Sequence, residues 1–286
     1  TDCQNQPEVH DITQALRACA RIMAPATIFK AEAIVGPQDV VAYLGQGEHA
    51  GKVSDLAYHN SLMVQIWSAL AARDGRLLST ALSRFAPIPV TGAWATYLRC
   101  HDDIGWAIDD GDAAAVGWNG YSHRAFLADY YAGEFPGSFA TGMHFQSNPE
   151  TGDRRTSGSA ASLAGLEAAI DAADESALDM AIARLTCAYA MVFGFGGLPL
   201  LYMGDELGMI NDRSYLDDAA KRADNRWVHR PAMNWQLVDG TARASIVSDR
   251  VLAAITRLIQ ARKQLPALHA SVATDAFTTS NPAVLV

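Results

Sequence analysis

Arg99-Cys100-His101-Asp102-Asp103-Ile104-Gly105-Trp106 follows directly on the apolar run Trp94-Ala-Thr-Tyr-Leu98. The run reads as a buried strand, and it ends where a basic residue, a histidine and two adjacent carboxylates arrive together. Such a cluster at the end of a buried strand is costly unless its charges are paired or face a polar cleft. In a parallel α/β barrel the C-terminal strand ends are where active sites are built. The pair Asp102-Asp103 alone also fits an N-cap with a solvated turn carboxylate; Arg99 and His101 beside it bring a functional reading level with that plainer one.

Working outward, Thr27–Val35 reads as a second buried strand with one misfit, Glu32. An unpaired carboxylate there would be expensive, and a raised pKa would suit a general acid. A core glutamate in a salt bridge with Lys30 or an arginine is the plainer alternative. A third strand, Leu198–Met203, ends in Gly204-Asp205-Glu206, where the acidic pair is expected to organise the following loop. Between the strands lie helical patterns: Ile12, Leu16, Cys19 and Met23 after an N-cap at Asp11, then Leu62, Ile66, Trp67 and Leu70. A further helical piece covers Leu77–Phe85, and later patterns are Leu178, Ile182, Leu185, Tyr189 and Val192, then Val251, Ile255, Leu258 and Ile259. Gly196-Gly197 is expected to break the fourth of these five helices. Strands alternating with helices predict a parallel α/β fold, with about four strand–helix units against the eight of a complete barrel. Residues 107–160, rich in Gly, Asp, Asn and aromatics, predict an excursion walling the site, with a short helix near 124–131.

Composition narrows the function. The 286 residues are 50% hydrophobic and 19% charged, ordinary for an enzyme with a sizeable core. A formal charge of −9 with no basic stripe speaks against nucleic acid and anionic membranes. Cys3, Cys19, Cys100 and Cys187 are scattered, and Cys19 and Cys187 are expected as buried free thiols. No stretch reaches the length expected of a membrane-spanning helix. Zinc-ligand spacing, a phosphate-cradling glycine loop and a GxSxG elbow are not found, so no cofactor and no metal are expected.

Taken jointly, Phe29-Lys-Ala-Glu32-Ala-Ile-Val35 and Tyr97-Leu-Arg-Cys-His101-Asp102-Asp103-Ile-Gly-Trp106 resemble the fifth- and seventh-strand signatures of glycoside hydrolase family 13. Gly137-Ser-Phe-Ala140, Phe145-Gln146, Asn148-Pro149, Thr151-Gly-Asp153, Gly197-Leu-Pro-Leu200, Gly204-Asp-Glu206 and Arg226-Trp-Val-His-Arg-Pro231 extend the resemblance over nearly the whole chain, toward its amylosucrase branch. The resemblance implies the C-terminal half of a (β/α)₈ barrel, strands 5–8, with a loop-7 insertion. Residues 1–106 and 161–265 are then barrel, 107–160 the insertion, and 266–286 the start of a C-terminal β-domain. It implies a retaining mechanism through a covalent glucosyl-enzyme. Glu32 becomes the acid/base and Asp102 the transition-state-stabilising aspartate. His101 binds glucosyl hydroxyls, and Arg226 closes the glucose pocket against an acidic partner outside this chain. Asp103, Arg124 and Arg155 line the fructose and acceptor side.

The implied partners are sucrose and an α-glucan acceptor, with oligomeric state open and the cytoplasm favoured over export. The family's nucleophile lies in a Gly-x-Arg-x-Asp context that does not occur here, so the chain alone is expected to be inactive. One departure bears on the acceptor: Ser147 stands where amylosucrases carry tyrosine, which keeps a sucrose hydrolase in view. A Mg²⁺-dependent lyase using strand-end carboxylates and a non-catalytic sugar-binding protein are the readings from other classes.

Overall fold

The computed structural model describes residues 4–6, 8–238, 246–277 and 279–286. Four short strands, β1 (Lys30–Ala31), β2 (Leu56–Tyr58), β3 (Ala93–Tyr97) and β6 (Leu198–Leu200), form one sheet in the order β1-β2-β3-β6. Every pairing is parallel, with Ala31 beside Ala57, Ala57 beside Trp94, and Ala95 beside Leu198. Chain order and sheet order therefore agree, as in consecutive strands of a parallel α/β sheet with helical crossovers. A separate antiparallel hairpin, β4 (Met143–Phe145) and β5 (Arg155–Ser157), lies in the long excursion between β3 and β6.

The helices are α1 (Val9–Met23), α2 (Pro37–Val40), α3 (Asn60–Ala72), α4 (Arg76–Ser83), α5 (Asp110–Ala115) and α6 (Gly120–Tyr131). They continue with α7 (Ala160–Leu163), α8 (Leu166–Asp171), α9 (Glu175–Gly194), α10 (Trp235–Val238) and α11 (Ile246–Lys263). Helix α9 carries Leu178, Ile182, Leu185, Tyr189 and Val192 into the core at the spacing its sequence predicts. Asp174 caps it by accepting from the Ala177 N–H at 3.0 Å. At 20 residues α9 reaches the length and apolarity of a membrane span, correcting the expectation that no stretch does. Its apolar face is nevertheless the packing surface between α3, α8 and α11. Gly196 and Gly197 end it at φ +102° and +62°, and a Cβ on Gly197 would lie 2.3 Å from the Trp94 carbonyl oxygen. No other residue type fits there.

The core runs from α3 across the excursion to α9 and α11. Trp67 of α3 donates its indole N–H to the Leu98 carbonyl at 3.2 Å and accepts on its own carbonyl from Tyr131 of α6 at 2.6 Å. Trp106 stacks on Tyr131 with 5.2 Å between centroids and donates to Thr156 Oγ1 of β5. Ile104 and Thr156 exchange two backbone hydrogen bonds. These contacts lash the 107–160 excursion to the strand that carries the His-Asp-Asp cluster.

Several expectations are corrected. Thr27–Val35 pairs as strand only at Lys30–Ala31, and Glu32, one residue beyond, is exposed. Helix α1 starts at Val9, which puts Asp11 in its first turn rather than at the cap. Its apolar face is turned outward, with Ile12, Leu16, Ile22 and Met23 exposed. Its polar side does the docking instead. Arg17 and Arg21 reach Asp55 at 2.5 and 2.9 Å, and Asp55 also accepts from the Phe29 N–H. Cys19 and Cys187 are exposed rather than buried. The segment from Pro266, expected to open a β-domain, holds a 3₁₀ turn at Pro266–Leu268 and no strand among its described residues.

Candidate active site

Strand β3 delivers Arg99 to Asp103 to the C-terminal edge of the parallel sheet. Arg99 is buried and works inward: Nε donates to the Gly158 carbonyl at 2.9 Å, and Nη2 to the Asp102 carbonyl at 2.8 Å. The backbone of the next three residues is thereby tied to the turn after β5. The Asp102 side chain points the other way and is 36% exposed. Its Oδ1 lies 3.3 Å from Arg226 Nη1 and 3.6 Å from Arg230 Nη2, and its Oδ2 lies 3.4 Å from His101 Nε2. Three cationic or protonatable groups around one half-exposed carboxylate fix its direction.

The second anchor is the 3₁₀ segment Asn225–His229. Asp224 caps it and grips Arg226 in a two-pronged pair, Nε to Oδ1 at 2.9 Å and Nη2 to Oδ2 at 2.7 Å. That grip holds the Asp224 carboxyl down at about 2. Arg226 thus finds acidic partners within this chain, Asp224 and Asp102, where one outside it was expected. Its guanidinium also sits 5.1 Å over the Phe145 ring. His229 is buried; its Nδ1 accepts from the Gly158 N–H and its Nε2 reaches the His101 carbonyl, both at 3.2 Å. Accepting on Nδ1 places the ring proton on Nε2, which then donates to His101. Arg230 Nε donates to the same carbonyl at 2.7 Å. Gly158 is therefore held at both ends, by His229 on its N–H and by Arg99 on its carbonyl.

Burial above all, with the Arg99 charge second, pushes the His229 pKa down to about 2. The unfolded chain takes up this proton near 6.5 and the folded chain does not. The stability His229 contributes is thus fully present above pH 6.5 and drains by about 1.4 kcal/mol per pH unit below it. In His229→Gln, urea unfolding between pH 6.5 and about 4.5 is expected to lose stability less steeply by that amount. Equal slopes in the two proteins would count against a neutral His229.

The other sequence-predicted residues divide. Asp103 is nearly buried and meets Arg155 Nη1 at 3.4 Å, so these two come together beside Asp102. Arg124 is drawn elsewhere. Its Nη1 donates to the Ile108 carbonyl at 2.9 Å and pairs with Asp110 at 2.7 Å, while its Nε lies 3.9 Å from Asp153. Glu32 makes no ion pair among the described residues, which corrects the core salt bridge with Lys30. Lys30 Nζ instead donates to the Tyr58 hydroxyl. Glu32 follows β1 and the His101-Asp102 loop follows β3, parallel strands separated by β2, an interstrand spacing of roughly 10 Å. An open cavity of about 470 Å³, lined by His144, Phe145, Gln146, Asp224, Asn225 and Arg226, adjoins this edge.

Behind the site, Asp205 is buried and accepts a hydrogen bond from Tyr189 of α9. Burial pushes its carboxyl up to about 7, opposed by the Tyr189 bond and by the Arg99 charge. Glu206 closes the turn by accepting from the Gly204 N–H at 2.8 Å, the organising role its position predicts. Asp224, His229 and Arg230 are not among the site residues predicted from the sequence. All three lie in or beside the 224–231 stretch, whose density of charge was the available signal.

Trehalose synthase/amylase TreS of Mycolicibacterium smegmatis is 35% identical over 104 residues, 36% of this chain and 18% of that protein. The trehalose synthase of Thermus thermophilus is 26% identical over 76% of this chain and 18% of its own length; that of Pimelobacter sp. is 25% identical over 100% and 47%. The likenesses are to trehalose synthases. No family model matches the chain. These relatives are longer, and the chain spans less than half the length of each. Among solved structures, sucrose 6F-phosphate phosphorylase from Thermoanaerobacter thermosaccharolyticum shares the fold, with a TM-score of 0.60 at 17% identity. The superposition covers 92% of this chain and 44% of that one.

Proposed function

We propose that this site transfers a glucosyl unit from sucrose with retention of configuration, on strands 5–8 of a (β/α)₈ barrel. Residues 1–106 and 161–265 would be barrel, 107–160 the loop-7 insertion and 266–286 the entry to a further domain. The observation that carries the reading is Asp102, fixed at the strand edge by Arg226, Arg230 and His101 while its side chain stays 36% exposed. As the glycosidic bond breaks, positive charge develops at the anomeric carbon and ring oxygen, and a preoriented carboxylate stabilises it. Glu32, exposed on the same edge, gives its proton to the departing fructose oxygen and then takes one from the acceptor hydroxyl. The anomeric carbon is meanwhile held by a carboxylate nucleophile, which these 286 residues do not offer in the family's motif. His101 supports glucosyl hydroxyls, while Asp103 with Arg155 sits toward the leaving group. Arg124 serves the acceptor side only through the excursion it braces.

The test is sucrose supplied alone to the full-length protein, with free glucose measured against free fructose. Fructose in clear excess, with glucose recovered as polymer, supports transfer to an α-glucan. Equal amounts mean that water is the acceptor, the sucrose hydrolase alternative. Ser147, exposed beside the 470 Å³ cavity's Gln146, is the residue to change in that case. An aromatic there adds a stacking surface for a sugar ring, so Ser147→Tyr is expected to raise the fructose-to-glucose ratio about fivefold, from roughly 1 kcal/mol of added acceptor binding. An unchanged ratio would remove Ser147 from the argument. The similarity to trehalose synthases favours a second reading, in which trehalose is the product; trehalose accumulating in the same assay would decide for it.

A further inference from the structure

Outside the site, Asp129 near the end of α6, Glu134 just beyond it and His144 of β4 converge. His144 Nε2 lies 3.4 Å from Asp129 Oδ1 and 3.2 Å from Glu134 Oε2, and the three atoms all lie within 4.8 Å of one another. Ligands about 2.0–2.1 Å from a tetrahedral zinc are separated by roughly 3.3 Å, the spacing of both contacts to Nε2. The polar accounting points the same way. Both ring nitrogens of His144 are buried without a hydrogen-bond partner of good geometry, although Nε2 faces two carboxylates. Buried polar atoms are seldom left so. Arg154 grips Asp129 from the far side, Nη1 to Oδ1 at 2.7 Å and Nη2 to Oδ2 at 3.1 Å, as outer partners commonly orient a ligating carboxylate. Glu134 is largely exposed, which gives an ion a route in and a water its fourth position.

We propose that Asp129, Glu134 and His144 bind one Zn²⁺ ion. One imidazole and two carboxylates suit zinc; calcium asks for six to eight oxygens and magnesium for a near-octahedral oxygen shell. The role is structural. The ion pins the end of α6 to β4, whose Phe145 ring lies under Arg226 and whose His144 carbonyl accepts from Asn225 Nδ2 at 2.6 Å. The metal thus braces one wall of the cavity without touching the reacting groups.

The test uses the full 286-residue chain, stripped with EDTA and titrated with Zn²⁺ by calorimetry, with Co²⁺ as a spectroscopic probe. Expected are one zinc per chain, a rise in Tm on adding zinc, and a tetrahedral Co²⁺ spectrum without thiolate charge transfer. His144→Ala should abolish binding. Glu134→Gln, at an exposed position that does not threaten folding, should weaken it about tenfold or more. His101→Ala should leave it intact. Failure of the wild-type chain to bind overturns the proposal. So does binding that survives His144→Ala and Glu134→Gln, or that is lost with His101→Ala, since the ion would then sit at Cys100, His101 and Asp102, the other donor cluster among the described residues.

Discussion

Asp102→Asn in the full-length protein is expected to lower kcat on sucrose about 10³-fold, with KM little changed and the fold intact. The size follows from the step the carboxylate serves. On the proposed mechanism its negative charge is matched to a positive charge that exists only as the glycosidic bond breaks, so the amide loses stabilisation of the transition state and little of the ground state. The fold survives because no cation is stranded. Arg226 keeps its paired contacts to Asp224, and Arg230 keeps the His101 carbonyl. The amide is nearly the same size in a half-exposed position. Steady-state kinetics with a urea unfolding curve on the same preparation check both halves. A loss below tenfold would remove Asp102 from the chemistry, and a large fall in stability would make its role structural.

What could be read from the sequence followed a physical divide. Periodicity reported the apolar stripes of α9 and α11 correctly because each is covered on the side it faces. The same pattern in α1 was equally clear and equally apolar, yet Ile12, Leu16 and Met23 lie outside. A stripe shows which face is apolar and says nothing of what covers it. Here Arg17 and Arg21, converging on Asp55, decide how the helix docks. The excursion was legible as a non-repeating wall, but the β4–β5 hairpin was not. Its pairing is held by residues far apart in the chain, Met143 with Ser157 and Ile104 with Thr156. At the site, the cluster on β3 was legible because charge at the end of an apolar strand is rare. The grip of Asp224 on Arg226, and the clasp of His229 and Arg99 on Gly158, depend on backbone groups that no side-chain motif announces.

Arg99 is the residue on which that clasp and the stability of the site converge. Arg99→Leu is expected to destabilise the protein by about 3–5 kcal/mol at pH 8, the range for removing one member of a buried charged set. Two carbonyls, Gly158 and Asp102, lose their donor, and the positive charge that opposes the burial penalty on Asp205 disappears. The pH dependence carries a definite sign. Asp205 titrates at about 7 in the folded protein, above the ordinary carboxyl value, so the folded state holds its proton where the unfolded chain has released it. Ionisation therefore costs stability as pH rises toward 7, and Arg99 offsets part of that cost. Below pH 5 Asp205 is protonated in the fold and needs no counter-charge, so the penalty of Arg99→Leu should shrink toward that of the two lost hydrogen bonds, about 2–3 kcal/mol. Arg99→Lys should fall between the wild type and Arg99→Leu, because an ammonium keeps the charge but lacks the rigid fork that serves both carbonyls. Urea midpoints at pH 5 and pH 8, with Asp205→Asn as the second arm of a double-mutant cycle, separate the terms. A loss equal at both pH values, with no coupling to Asp205→Asn, would assign Arg99 to the backbone alone. A loss near zero would mean that the turn after β5 holds the His101-Asp102 loop without it.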